Sequence, residues 1–249
     1  MYQIVFVRHG ESVWNRDNIF SGWTDVGLSE KGEQESKECG RLLKNKGYIF
    51  DVTWSSFLKR THQTLDLILE QLGSTNIPKF QSWKLNERNY GALQGRNKDQ
   101  LLEEVGYEQT LIWRRSYATR PPPLTKKDKR YPGNDPLYAD LSEEELPLTE
   151  CLKDVVERAL PLWKNTIVPT ILQGKRVLVV AHGNSIRAIC KFLDNMTDQE
   201  ILKLNIPNAI PLVYQFDENM KPIKHFYLQN NVNQSEKQIT SVRKVIQKK

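Results

Sequence analysis

The chain has 249 residues, 39% of them hydrophobic and 27% charged, and a formal net charge of +6. That length reads as one domain with a large core, and the composition excludes a disordered or fibrous protein. No apolar run approaches the ~20 residues of a membrane span. Cys39, Cys151 and Cys190 are scattered and odd in number, so they read as free thiols of a reducing, cytoplasmic compartment. The last 14 residues, from Glu236, hold five Lys or Arg against one acid, so most of the net charge sits in a basic tail. Without interleaved aromatics that tail is a weak nucleic-acid signal. The arginines of the body suit a small anion better.

In chain order, only Met1, Tyr2 and Gln3 precede the first apolar run, which leaves no room for a cleaved signal peptide. The run Ile4-Val5-Phe6-Val7 is continuous and is stopped by Gly10, the pattern of a buried strand in a parallel sheet. It delivers Arg8 and His9 to the strand's carboxyl end, where open α/β sheets bind ligands. A polar loop from Ser12 to Val26 holds Asn15, Ser21 and Gly22, residue types that mark turns more often than contacts. Ser29 reads as the N-cap of a helix running to about Lys46, with Glu30 and Glu33 in its first turn and Gly47 past its end. Asp51–Ser55 reads as a second strand. Leu58, Leu65, Ile68, Leu69 and Leu72 then predict a helix from about Phe57 to Leu72. Arg60 falls in its first turn, either as a solvated cation or as a partner for Arg8.

Residues 85–98 form a loop dense in polar groups. By pattern alone its Glu87 is either a surface acid or a site residue. Over about 95–150 the composition shifts. Two short helical patterns, Lys98–Val105 and Glu108–Tyr117, lead into Pro121-Pro122-Pro123 and a charged run from Lys126 to Arg130. Arg114 and Arg115 fall in the second pattern. A helix is expected from Thr149, as its cap, to about Asn165, kinked at Pro161. The run from Arg176 to Ala181 then ends in His182-Gly183-Asn184-Ser185, a second strand delivering a histidine and a glycine, and a helix of roughly Ser185–Asn195 follows. Leu212–Phe216 and Ile223–Leu228 read as strands joined by a turn at 217–220. The expected fold is α/β: three layers, a mostly parallel sheet flanked by helices, with an inserted, mostly helical segment over the site. Residues 1–235 make one catalytic domain and 236–249 a basic tail.

Two histidines and at least one arginine at strand ends suggest phosphoryl transfer. Neutral imidazole, with a pKa of about 6.5, is a usable nucleophile at pH 7. Arginine forks match phosphate geometry. A loose phosphoryl-transfer transition state needs positioning and electrostatic stabilisation more than covalent help. No carboxylate or cysteine stands at ligand spacing from His9 or His182, which argues against a metal site.

Five segments, Arg8–Asn15, Phe20–Asp25, Leu85–Gly91, Trp113–Tyr117 and Ala181–Ser185, resemble the histidine phosphatase superfamily in order and spacing. Within it the chain is similar to the cofactor-dependent phosphoglycerate mutases, over nearly its whole length. The resemblance implies that His9 is the phosphorylated nucleophile. Arg8, Arg60, Asn15 and His182 would hold the transferring phosphoryl group, with Gly183 donating its backbone amide, and Glu87 would be the acid/base for the substrate hydroxyl. Ser21, Gly22, Tyr90, Lys98, Arg114, Arg115 and Asn184 would grip the rest of the molecule. It implies 2,3-bisphosphoglycerate as priming phosphoryl donor, no metal, no nucleic-acid or membrane partner, and a homodimer or homotetramer.

A synthase or phosphatase of the same superfamily is the rival, although Ser12 and Ser21-Gly22 resemble the mutase pattern. A catalytically dead scaffold would be expected to have lost one of the chemical residues, and all are present. Asn89, Ala92 and Ala209 stand where close relatives are expected to carry His, Gly and Gly. The chain beyond Leu228 contains no glycine, where relatives tend to have a glycine-bearing turn. Its Ile239, Val242 and Ile246 allow one short amphipathic helix covering the site, or a frayed solvated tail.

Overall fold

Every residue of Ile4–Val7 is buried because the strand it builds is covered on both faces. The computed structural model describes residues 1–229, so the tail 236–249 lies outside the described residues. In chain order the elements are β1 (Tyr2–Arg8), α1 (Val13–Arg16), α2 (Glu30–Asn45), β2 (Val52–Ser55), α3 (Lys59–Leu72), β3 (Lys79–Gln81) and α4 (Lys98–Arg115). Then come α5 (Leu152–Leu162), α6 (Val168–Leu172), β4 (Val177–Ala181), α7 (Gly183–Leu193), α8 (Asp198–Lys203), β5 (Leu212–Phe216) and β6 (Pro222–Tyr227).

The six strands form one sheet in the order β3-β2-β4-β1-β5-β6. β1 to β4 run parallel, β5 is antiparallel to β1, and β6 to β5. Alternation along the strands sorts the core into two layers. Ile4, Phe6, Val177 and Val179 pack with residues of α5 and α7. Val5, Val7, Leu178 and Val180 pack with residues of α2 and α3. The β1–β4 register pairs Arg8 with Ala181, so the histidines that follow, His9 and His182, leave adjacent strands side by side. Among the described residues no helix is long and apolar enough to cross a membrane.

Several elements differ from the sequence reading. The loop after His9 contains α1, capped by Ser12 through a capping box with Asn15. Thr149 does not cap α5: its hydroxyl donates to the Pro121 carbonyl at 2.9 Å, and Cys151 occupies the N-cap position. The helical region does not end near Asn165. The chain passes through a π-helical turn, Trp163–Ile167, into α6. The exposed strand β3 and the short α8 were not anticipated. The two helical patterns of the inserted segment merge as α4, with a break at Gly106 (φ 80°, ψ 169°). Beyond α4 the segment runs through short 3-10 turns at Pro132–Asn134, Pro136–Tyr138 and Glu143–Glu145.

Candidate active site

At the end of β1 the His9 ring is buried and its Nδ1 lies 2.6 Å from the Gly10 carbonyl. A carbonyl only accepts, so Nδ1 carries the proton and Nε2 keeps its lone pair. Burial, then Arg60 and Arg8 nearby, hold the imidazole well below its ordinary pKa, so it is neutral at pH 7. Gly10 is required by close approach, because a Cβ there would meet the Gly32 carbonyl oxygen at 2.2 Å. Gly22 is required by its φ of +55°, and its carbonyl accepts from Arg60 Nη2 at 2.8 Å.

His182 ends β4 with its ring centroid 5.0 Å from that of His9. Its Nε2 lies 2.8 Å from Ser56 Oγ, while its buried Nδ1 has no partner among the described residues. Burial leads in depressing its pKa well below the usual value, with Arg60 and His9 adding to the effect.

Arg60 is 1% exposed, so it is not the solvated cation that a first-turn arginine usually is. Its Nη1 donates to the Thr24 carbonyl at 3.0 Å, and burial pushes its pKa down to about 10, which leaves it cationic. Arg8 Nη1 donates to the Ile206 carbonyl at 2.8 Å.

Glu87 sits across the cleft. Its Oε1 accepts from the amides of Arg88 (2.8 Å) and Asn184 (3.2 Å) and from Asn184 Nδ2 (2.8 Å). Three donors saturate that oxygen, which leaves Oε2 as the free one. A methyl group on Gly183 would stand 3.6 Å from Arg8 Nε and 3.8 Å from Glu87 Oε2, in the space between them. Asn184 Nδ2 also donates to the Tyr90 hydroxyl at 3.2 Å, and Asn184 Oδ1 accepts from Arg187 Nη1 at 2.8 Å.

One cleft of ≈ 220 Å³ joins these groups. It is lined by Arg8, His9, Asn15, Ser21, Gly22, Arg60, Glu87, Tyr90, Lys98, Arg114, Arg115, Gly183 and Asn184, and also by Arg187. Every sequence-predicted site residue is therefore on its wall except His182, which lies buried beside His9. Asn15 Oδ1 accepts from the Ser12 amide at 3.2 Å, which leaves its Nδ2 for the cleft. Ser21 Oγ is buried without a partner among the described residues. Burial lowers the pKa of Lys98 and Arg115, and the Arg114 charge lowers both further. Burial alone would raise the Tyr90 hydroxyl, yet the Arg88 guanidinium, 4.3 Å from its ring, brings it below its ordinary value.

Sequence reasoning missed Arg187, Arg88, Arg158 and Glu150. Arg187 is 3% exposed, donates to the Ile201 carbonyl at 2.6 Å, and is pushed down to about 10 by burial. Arg88 Nη2 donates to the carbonyls of Trp113 and Arg114, both at 2.9 Å, and so ties down the end of α4 that carries Arg114 and Arg115. A local signal existed only for Arg187, one turn past the His-Gly-Asn of the second strand end.

Among the described residues, six cationic side chains (Arg8, Arg60, Lys98, Arg114, Arg115 and Arg187) and one carboxylate, Glu87, line the cleft. Cations left this short of counter-ions are costly, and a multiply charged anion offsets the cost. A three-layer α/β fold with an anion cleft over two strand-end histidines is the class that the fold and the site define. The chain belongs to the histidine phosphatase superfamily (branch 1), whose family model matches residues 4–229.

Solved structures of the same fold agree. A mycobacterial glucosyl-3-phosphoglycerate phosphatase in complex with VO3 is 20% identical with a TM-score of 0.68, over 93% of this chain and 99% of that one. A phosphoserine phosphatase from Entamoeba histolytica in complex with 3-phosphoglyceric acid is 19% identical with a TM-score of 0.64, over 93% and 98%. An alpha-ribazole phosphatase from Shigella flexneri is 16% identical with a TM-score of 0.64, over 91% and 96%.

Proposed function

We propose that this protein interconverts 3- and 2-phosphoglycerate through a phosphohistidine at His9 and a 2,3-bisphosphoglycerate intermediate. The observation that carries this reading is that two sets of cations line one cleft. Arg8 and Arg60 stand beside His9, while Lys98, Arg114 and Arg115 come from α4. A substrate with a phosphate at one end and a carboxylate at the other uses both sets. Simple cleavage of a phosphate ester needs only the first.

In this mechanism His9 Nε2 attacks phosphorus as the bond from phosphorus to the ester oxygen breaks. Arg8 and Arg60 balance the charge on the equatorial oxygens, with His182 beside them. Glu87 Oε2 gives its proton to the leaving oxygen. It takes a proton back when the free hydroxyl of an incoming phosphoglycerate, which keeps its own phosphate, attacks the phosphoryl group on His9; that step forms the bisphosphate and restores the free imidazole, which then attacks the other phosphate. The unpartnered His182 Nδ1 and Ser21 Oγ, with the excess of cations, suit a bisphosphorylated anion. When bound, 2,3-bisphosphoglycerate supplies the phosphoryl group that primes His9. The same reading makes the protein a cytoplasmic homodimer or homotetramer acting on small anions, without a metal, nucleic acid or membrane. Sedimentation tests the assembly.

The names of the structural neighbours favour a second reading, a phosphatase that passes the phosphoryl group of His9 to water. A coupled assay separates the two. Conversion of 3-phosphoglycerate, stimulated by added 2,3-bisphosphoglycerate and insensitive to a chelator, supports the mutase. Release of inorganic phosphate with no 2-phosphoglycerate formed supports the phosphatase.

A further inference from the structure

The loop that carries Glu87 has little regular structure to hold it. It runs between two single-turn 3-10 helices, Trp83–Leu85 and Gly91–Leu93. Trp23 Nε1 donates to the Glu87 carbonyl at 2.6 Å, and a further anchor comes from α5. Arg158 is 8% exposed, and its Nη2 donates to the carbonyls of Asn86 and Glu87, both at 3.0 Å. Its Nη1 donates to the Lys84 carbonyl at 2.9 Å. The rest of the guanidinium closes on Glu150, Nε to Oε1 at 2.6 Å and Nη2 to Oε2 at 3.0 Å. Glu150 in turn holds the loop beyond Glu87. Its Oε2 accepts from the Asn89 amide at 2.7 Å, and its own amide donates to the Asn89 carbonyl at 2.8 Å. The ion pair therefore grips the main chain on both sides of Glu87.

A pair this buried is a weak stabiliser, because desolvating both charges offsets most of their attraction. What it does supply is geometry. Oε1 of Glu87 is saturated by fixed donors, so the proton must travel through Oε2, and Oε2 is aimed by the loop. A misplacement of about 1 Å can cost about 10²-fold in rate.

We propose that Arg158 and Glu150 are a positioning pair that holds Glu87 from behind, so that Oε2 meets the leaving-group oxygen. Neither residue lines the cleft. The proposal rests on the reading of Glu87 as the proton donor in the proposed phosphoryl transfer.

The test is leaving-group dependence. An alkyl phosphate such as 3-phosphoglycerate needs its leaving oxygen protonated, whereas p-nitrophenyl phosphate does not. Phosphoryl transfer from both is measured for wild type, Glu87→Gln, Arg158→Lys and Glu150→Gln at saturating substrate. Glu87→Gln should lose about 10²- to 10⁴-fold on the alkyl ester and far less on the aryl ester. Arg158→Lys keeps the charge but loses the fork. It and Glu150→Gln should show the same selective loss, at least about tenfold larger on the alkyl ester. Arg158→Met/Glu150→Met replaces the pair by apolar side chains, a change that folds tolerate. It should repeat the selectivity if the single variants do not fold. Equal losses on both esters, or none, in the Arg158 and Glu150 variants overturn the proposal. If Glu87→Gln itself shows no selectivity, Glu87 is not the proton donor, and the reading beneath the proposal falls with it.

Discussion

His9 and His182 are kept uncharged by their surroundings, and this has a consequence for stability. Burial leads in pushing both pKa values well below 6.5, helped by Arg60 and Arg8 at His9 and by Arg60 and His9 at His182. In the unfolded chain both titrate near 6.5. Below that pH the unfolded state binds protons that the folded state refuses, so stability falls as pH drops, by up to about 1.4 kcal/mol per pH unit for each histidine. His225 acts in the opposite sense. Its hydrogen bond to Asp194 raises its pKa, so it adds stability below pH 6.5 that is lost as pH rises through its folded value. Urea unfolding between pH 7.5 and 5.5 should show a net loss of stability toward the acid side. His182→Asn should remove roughly half of the slope contributed by the two buried rings. A profile as steep in that variant as in wild type contradicts the buried, neutral His182.

At this level much of the site was legible. Arg8, His9 and His182 stand out because apolar runs end at them. Arg158 and Glu150 leave no such mark. Arg158 finds the Asn86 carbonyl 72 positions away, and a buried arginine bound to backbone carries no pattern of its own.

The strands were readable for a physical reason. β1 and β4 are covered on both faces, so their sequences are continuous apolar runs. β3 was not readable, because its three residues, Lys79, Phe80 and Gln81, lie exposed at the sheet edge and carry no apolar run. The start of α5 was misread because a threonine hydroxyl that would cap a helix is used to tether the Pro121 carbonyl. The two patterns of α4 reflect a real break. Gly106 holds φ +80° with nothing near a would-be Cβ, so its conformation alone demands glycine. Gly106→Ala should therefore cost about 1–3 kcal/mol through backbone strain. Because the segment beyond the break carries Arg114 and Arg115, the same variant should raise KM for phosphoglycerate. Unchanged thermal stability in Gly106→Ala would show that the helix re-forms straight through the break.

Taken as a whole, the molecule is a two-sided core that presents two histidines at the carboxyl ends of its two central strands, with an inserted segment that contributes to the wall of the cleft. The core is common to the superfamily, and α4 brings the second set of cations. Arg114→Ala and Arg115→Ala should each weaken phosphoglycerate binding by about 1.5–3 kcal/mol, with the more exposed Arg114 at the lower end. His9 should still accept a phosphoryl group from a small donor such as acetyl phosphate. If both variants lose phosphorylation by every donor, those arginines serve the reacting end instead.

The central claim is that His9 Nε2 is the nucleophile, and it can be tested without turnover. After mixing with 2,3-bisphosphoglycerate and rapid quenching, intact mass and ³¹P NMR should show one acid-labile phosphoryl group, attached to Nε2 of His9 and absent from His9→Ala. A phosphoryl group retained in His9→Ala, or one found on Nδ1 or on His182, would contradict the account.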